Sequence, residues 1–172
     1  KIGKNVFIGA YPIICEDVII EDNTYISERV SISSNCKVGK ECFIGAGVII
    51  ECTVLNKKVN VSHNTVLGKI GFGFIPENTN TILTPHVGSL IIGEGTNIGS
   101  ACTIDRGLID KTLIGKYVMI DNQVHIGHNC DIGDFCILAG QVGLSGSVVL
   151  EKNVILGGDV SVKDNIKIGE GS

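Results

Sequence analysis

Over two long stretches, every sixth residue of this chain is aliphatic. Ile2, Ile8, Ile14, Ile20, Ile26, Ile32, Val38, Ile44 and Ile50 form the first run. Ile114, Ile120, Ile126, Ile132, Leu138, Leu144, Leu150, Leu156, Val162 and Ile168 form the second. Four residues after each aliphatic sits a compact side chain, such as Val18, Thr24, Val30, Cys36, Cys42, Val48 and Val54 in the first run. A period of six does not match an amphipathic helix, whose apolar stripe repeats every ~3.6 residues. An even period instead keeps residues i and i+4 on one side of an extended strand. Each hexad therefore reads as a short strand and a tight turn, with the aliphatic and the compact residue both facing inward. Gly3-Lys-Asn5 and Gly93-Glu-Gly95 supply residues that tolerate the positive φ of such turns. Hexads that cannot bury their apolar side alone must stack, which predicts a solenoid.

Composition narrows the function classes. Hydrophobic residues make up 44% and charged residues 19%, against a disordered chain. Aromatics are 5% with no Trp, so the core must be built from aliphatic and small side chains. The formal charge of −4 gives no global basic field for nucleic acid. No apolar run reaches the ~20 residues that span a bilayer, so the chain reads as not transmembrane. The chain opens on Lys1 and ends at Ser172 within the repeat, so it reads as a single domain over 1–172 and a fragment of a longer chain.

The seven Cys include no CxxC pair, which suggests neither a disulfide framework nor a zinc ribbon. Cys36, Cys42, Cys102, Cys130 and Cys136 share the compact repeat position that Val or Thr fills elsewhere. They are expected to pack as small hydrophobes, and free thiols fit a reducing cytoplasm. The repeat breaks near 56–60 and again near 110–113, and 71–89 does not repeat at all. All three stretches are expected to leave the solenoid as loops.

The hexad pattern resembles the hexapeptide-repeat family. The resemblance implies an all-β fold, a left-handed parallel β-helix shaped as a triangular prism, with three hexads making one coil of ~18 residues. Residues 18 apart then stack one strand spacing, ~4.8 Å, above each other. His128 and Gly146 are such a pair, each the third residue of its hexad. A base beside a backbone N–H suits acyl transfer. The base takes the proton of the attacking group, and the N–H stabilises the oxyanion. An imidazole has an ordinary pKa of ~6.5, so a neutral base is available near pH 7. Asp121, seven residues before His128, could hold the other ring nitrogen or merely form a turn. A metal centre of three converging His is not expected, because no third ligand accompanies His125 and His128.

Five segments in order narrow the resemblance: Gly71-Phe-Gly-Phe74, Thr103-Ile-Asp-Arg-Gly107, Asp121-Asn-Gln123, Ile126-Gly-His-Asn129 and Gly143-Leu-Ser-Gly-Ser147. Together they resemble the UDP-3-O-(3-hydroxyacyl)glucosamine N-acyltransferases of lipid A biosynthesis. That resemblance implies His128 as catalytic base, Asp121 as its partner and Gly146 as oxyanion donor. It implies a 3-hydroxyacyl chain moved from the phosphopantetheine thioester of acyl carrier protein to the 2-amine of a UDP-sugar, with no bound cofactor. It also implies homotrimers with active sites between neighbours. Phe72, Phe74, Asn122, Gln123, His125, Asn129 and Asn165 are the expected substrate-binding residues, although Phe72 and Phe74 could instead pin their loop to the prism. Asn165 stands where the family commonly has a second His, and Ile70 where it usually has Asp. Arg106 and Lys111 are candidates to meet an acidic carrier protein. Another hexapeptide-repeat sugar-nucleotide O-acyl- or acetyltransferase is the alternative on the same scaffold.

Overall fold

The computed structural model describes residues 1–172. The chain winds into a left-handed parallel β-helix of three eight-stranded sheets, with one two-stranded hairpin outside them. Face 1 begins at Phe7–Ile8, face 2 at Ile13–Ile14 and face 3 at Ile19–Ile20, and each strand pairs with those three hexads away. Phe7 lies opposite Tyr25, Ile13 opposite Ser31 and Ile19 opposite Lys37, so one coil takes 18 residues.

Alternation along each two-residue strand puts the second residue inside. Ile20, Ile26, Ile32, Ile44, Ile50, Ile126 and Leu144 are all essentially inaccessible. Together with the compact position they form one cluster of 36 buried residues that contains no aromatic ring. Each fully buried Ile or Leu contributes about 1.5–3 kcal/mol through removal from water. The aromatics lie outside, where Phe7, Tyr25 and Phe43 stack along face 1 at centroid distances of 4.4 and 5.4 Å.

The corners depart from simple turn chemistry. The residue three after each aliphatic has left-handed φ, and it is often not Gly, Asn or Asp: Arg29 (55°), Glu41 (57°), Tyr117 (54°) and Phe135 (61°) are examples. Left-handed backbone costs roughly 1–2 kcal/mol for a residue with a Cβ. The corners offset this with their own ladder: Glu41 N–H donates to Asp22 O, Tyr117 N–H to Glu94 O and Phe135 N–H to Lys116 O, at 2.8–3.0 Å. The cysteines also do more than fill space. Cys130 Sγ donates to Ser145 O at 3.2 Å and Cys136 Sγ to Glu151 O at 3.0 Å. Thr24, Thr65 and Thr96 hydroxyls make equivalent bonds to Gly39, Gly99 and Gly115 carbonyls. The compact position thus satisfies a corner carbonyl where it carries Cys or Thr.

Two expected loops are corrected. The first slip is a one-residue shortening of the corner after Ile50: Ile49 lies 18 residues from Ser31, but Val54 lies 17 from Lys37. Thr53 and Leu55 are therefore the buried residues there, and Val54 faces outward rather than inward. Residues 56–60 form no loop, because the strand Asn60–Val61 is already back in the sheet. The second break is a four-residue insertion, since Thr103 pairs with His125 at a separation of 22. It occupies 106–110, while Lys111–Ile114 is a strand of face 3. The 71–89 stretch does leave the prism, as an antiparallel hairpin of Phe74–Pro76 with Thr81–Leu83.

Candidate active site

The strand His125–Ile126 on face 2 turns Ile126 inward and His125 outward. The corner to face 3 then runs through Gly127, His128 and Asn129, with Asn129 at φ 60°. One coil later Gly143–Leu144 and Ser145-Gly146-Ser147 repeat the same path, with Gly143 paired to His125. Ser147 N–H donates to His128 O at 2.9 Å, so the two corners are locked in register at the site itself. His128 is half-buried, and its ring lies against Gly146. A Cβ on Gly146 would stand 2.8 Å from both Nε2 and Cε1 of His128, a space that only glycine leaves open. Gly146 O accepts from Asn165 N–H at 3.1 Å, whereas Gly146 N–H donates to no protein acceptor.

The protonation pattern of His128 follows from its neighbour. Asn129 Oδ1 accepts the Leu108 N–H at 2.9 Å, which identifies that atom as the oxygen. The same oxygen lies 3.0 Å from His128 Nδ1. Nδ1 therefore carries the hydrogen and donates it, leaving a lone pair on Nε2 beside Gly146. An imidazole so held can accept a proton at Nε2, next to a free backbone donor.

The ring opens onto a cavity of about 470 Å³ lined in part by Phe72, His125, Gly146, Ser161 and Asn165. His125 and His128 share this cavity, although they leave the backbone from a face and a corner. His125 Nδ1 is 2.8 Å from Thr103 Oγ1. Phe72 is 81% exposed and meets Phe74 edge-on at 5.2 Å, so neither ring pins the hairpin to the prism. Asn165 Nδ2 donates to Asp164 Oδ2 at 2.8 Å.

Three expectations meet a different arrangement. Asp121, Asn122 and Gln123 sit at the corner between faces 1 and 2, one hexad before the His128 corner, and none of them lines the cavity. There Asp121 Oδ1 accepts from Asn122 N–H at 2.7 Å, and Gln123 Oε1 accepts from Gln141 Nε2 at 3.1 Å. Asn129 is occupied by Leu108 and His128, so it orients the imidazole instead of facing the cavity. Arg106 is bound internally: Nε donates to His86 O at 2.9 Å and Nη1 to Gly68 O at 3.3 Å, with Glu51 Oε2 at 3.6 Å.

One residue lining the cavity, Asp105, and one packed behind His128, His86, were not among the expected site residues. Asp105 is buried, lines the cavity and pairs with Lys69 Nζ at 2.5 Å. Its signal was the Thr103–Gly107 segment. His86 is buried, and its ring centroid lies 5.2 Å from that of His128. No repeat pattern could place it, because it arrives on the hairpin excursion. The cysteines stay outside the chemistry, since burial pushes the Cys42 and Cys130 thiols up to about 11.

The model of the bacterial transferase hexapeptide (six repeats) matches residues 17–52 and 111–146. The Arabidopsis UDP-N-acetylglucosamine acyltransferase structure superposes with a TM-score of 0.83 at 27% identity, over 98% of this chain and 59% of that one. The two matched segments are hexapeptide repeats of the bacterial transferase type, set in a fold similar to that acyltransferase's. In sequence the chain is similar to two curated N-acyltransferases. UDP-3-O-acylglucosamine N-acyltransferase 1 of Francisella tularensis subsp. holarctica is 42% identical over 132 residues, 75% of this chain and 38% of that protein. UDP-3-O-acylglucosamine N-acyltransferase of Polynucleobacter asymbioticus is 33% identical over 133 residues, 75% of this chain and 33% of that protein. The chain thus spans well under half the length of the curated relatives it matches.

Proposed function

We propose that this chain is the β-helix unit of an N-acyltransferase that moves a 3-hydroxyacyl chain from acyl carrier protein to the 2-amine of UDP-3-O-acylglucosamine. The observation that carries the reading is the lone pair of His128 Nε2 set beside the unengaged N–H of Gly146. The sugar amine attacks the thioester carbonyl while Nε2 takes a proton from the amine. The Gly146 N–H donates to the oxyanion of the tetrahedral intermediate. Collapse forms the amide C–N bond and breaks the C–S bond, and the His128 imidazolium returns its proton to the departing pantetheine sulfur. The thioester is a substrate, and no resident metal or cofactor takes part.

His125, Asn165 and Phe72 border the cavity and are the residues of this chain proposed to touch the substrates. Asp121 stands at another corner of its own prism, so it partners His128 only if a neighbouring copy brings its 1–2 corner to this site. That requirement supports a homotrimer, in which a triangular prism closes a threefold ring. The proposed setting is the cytoplasm, where the five buried thiols stay reduced.

The test uses the full-length protein with 3-hydroxyacyl carrier protein and UDP-3-O-acylglucosamine. His128→Ala should lose about 10²–10⁴-fold in kcat with folding intact, the usual contribution of a general base. A rate near wild type in that variant rejects the mechanism. Transfer to UDP-N-acetylglucosamine hydroxyl in preference to the amine would assign the chain to the O-acyltransferases instead.

A further inference from the structure

The hairpin excursion carries a second imidazole to the first. His86 is 3% exposed, and its ring packs against that of His128 at 71° with centroids 5.2 Å apart. Its Nδ1 lies 2.9 Å from Thr84 O, an acceptor only, so Nδ1 bears the hydrogen. Its Nε2 is buried and has no partner. A buried acceptor left unpaired costs about 1–3 kcal/mol, so some other requirement holds this ring in place.

The fit of the two glycines around it points to that requirement. A Cβ on Gly71 would lie 2.8 Å from His86 Nε2 and 2.9 Å from both Cβ and Cδ2 of His128. A Cβ on Gly73 would lie 3.0 Å from His86 Cε1. The Gly71-Phe-Gly73 backbone is therefore moulded to cover both imidazoles at once, and it reaches them only because neither residue has a side chain. Arg106 ties the same unit to the prism by donating from Nε to His86 O. On its other side His128 touches Gly146.

We propose that His86 is a positioning residue: with the Gly71–Gly73 backbone it clamps the His128 ring so that Nε2 stays aimed over Gly146. The inference rests on the reading of His128 as the base. It extends that reading to a residue outside the repeat and makes the hairpin part of the site's scaffold. His86 Nδ1 donates to the Thr84 carbonyl, and the ring is assigned no proton transfer.

The test is His86→Ala in the full-length protein, with His86→Phe as a ring of similar shape that lacks the nitrogens. A loosened base should lower kcat roughly tenfold to a hundredfold, as sub-ångström to 1 Å misplacements do. KM for the sugar should change little, and His86→Phe should recover most of the loss. The second readout is the nitrogen NMR spectrum of His128. Wild type should show one Nδ1–H tautomer, and His86→Ala a mixture. An unchanged His128 spectrum together with unchanged kcat in His86→Ala overturns the proposal. A His86→Phe variant as impaired as His86→Ala overturns the clamp by packing. The spectrum is informative even if His128→Ala proves fully active, so failure of the catalytic reading and failure of the clamp are separable.

Discussion

At the scale of the residue, chemistry here depends on what glycine leaves out and on which atom donates. Gly146, Gly71 and Gly73 open the space around two imidazoles, and Asn129 fixes the tautomer of one of them. Gly68 shows the same dependence in the scaffold: its φ is 75°, and a Cβ there would meet Glu51 O and Thr53 Oγ1. Gly68→Ala should therefore destabilise the prism by more than the roughly 1 kcal/mol of an ordinary Gly→Ala change at an unsuited φ, visible as a lower unfolding midpoint. The thiols give a separate check. Five Cys are buried with pKa values raised by desolvation, while Cys15 and Cys52 are exposed. A buried thiol whose folded pKa is raised stays protonated through pH 8, so alkylation of the native chain at that pH should add two groups by mass. Alkylation in denaturant should add seven. More than two on the native protein would contradict the packed compact position.

At the scale of the element, the hexad is legible because its period of six follows directly from strand alternation and from corner length. Away from the end coils, where Ile2 and Ile166 are exposed, the expectation that the aliphatic and compact positions face inward holds in both long runs but for one position. It fails at Val54, where a corner lost one residue and Leu55 turned inward, since a single deletion inverts which side each residue faces. The excursions were legible only as interruptions. Their internal pairing and the arrival of His86 beside His128 depend on contacts across tens of residues, which a local repeat does not encode. The central strands hold most of the stability, so Ile126→Ala should cost about 2–5 kcal/mol as a large-to-small change in a fully packed core, measured by denaturant unfolding. Exposed ion pairs at the corners contribute far less. Lys37 beside Glu21 and Lys167 beside Glu151 hold these carboxyls below the usual range. Depressed carboxyl pKa values give stability above the unfolded pKa that fades as pH falls through the folded one, and salt should weaken it further.

At the scale of the whole molecule, winding converts sequence distance into contact. His128 and Gly146 meet because one circuit takes 18 residues, and that pairing is expected once the resemblance to hexapeptide-repeat proteins supplies the three-hexad coil. The Asp121 assignment was less legible, because seven residues also carry the chain past one corner, and within one prism the carboxylate and the imidazole stand apart. If neighbouring copies unite them, mixing His128→Ala subunits with Asp121→Ala subunits should restore activity that neither variant has alone, and scattering should report three copies per particle. No restoration would confine the base to its own prism. The most direct measurement is the N-acyl transfer rate of the full-length protein carrying Gly146→Ala, set beside Gly157→Ala, whose added Cβ meets nothing within 4 Å. The account predicts that Gly146→Ala, whose Cβ would stand 2.8 Å from His128 Nε2 and push the base away from the N–H that alanine keeps, loses roughly 10²-fold in kcat, the scale of a ~1 Å misplacement, while Gly157→Ala transfers at the wild-type rate. Wild-type transfer by Gly146→Ala would contradict it.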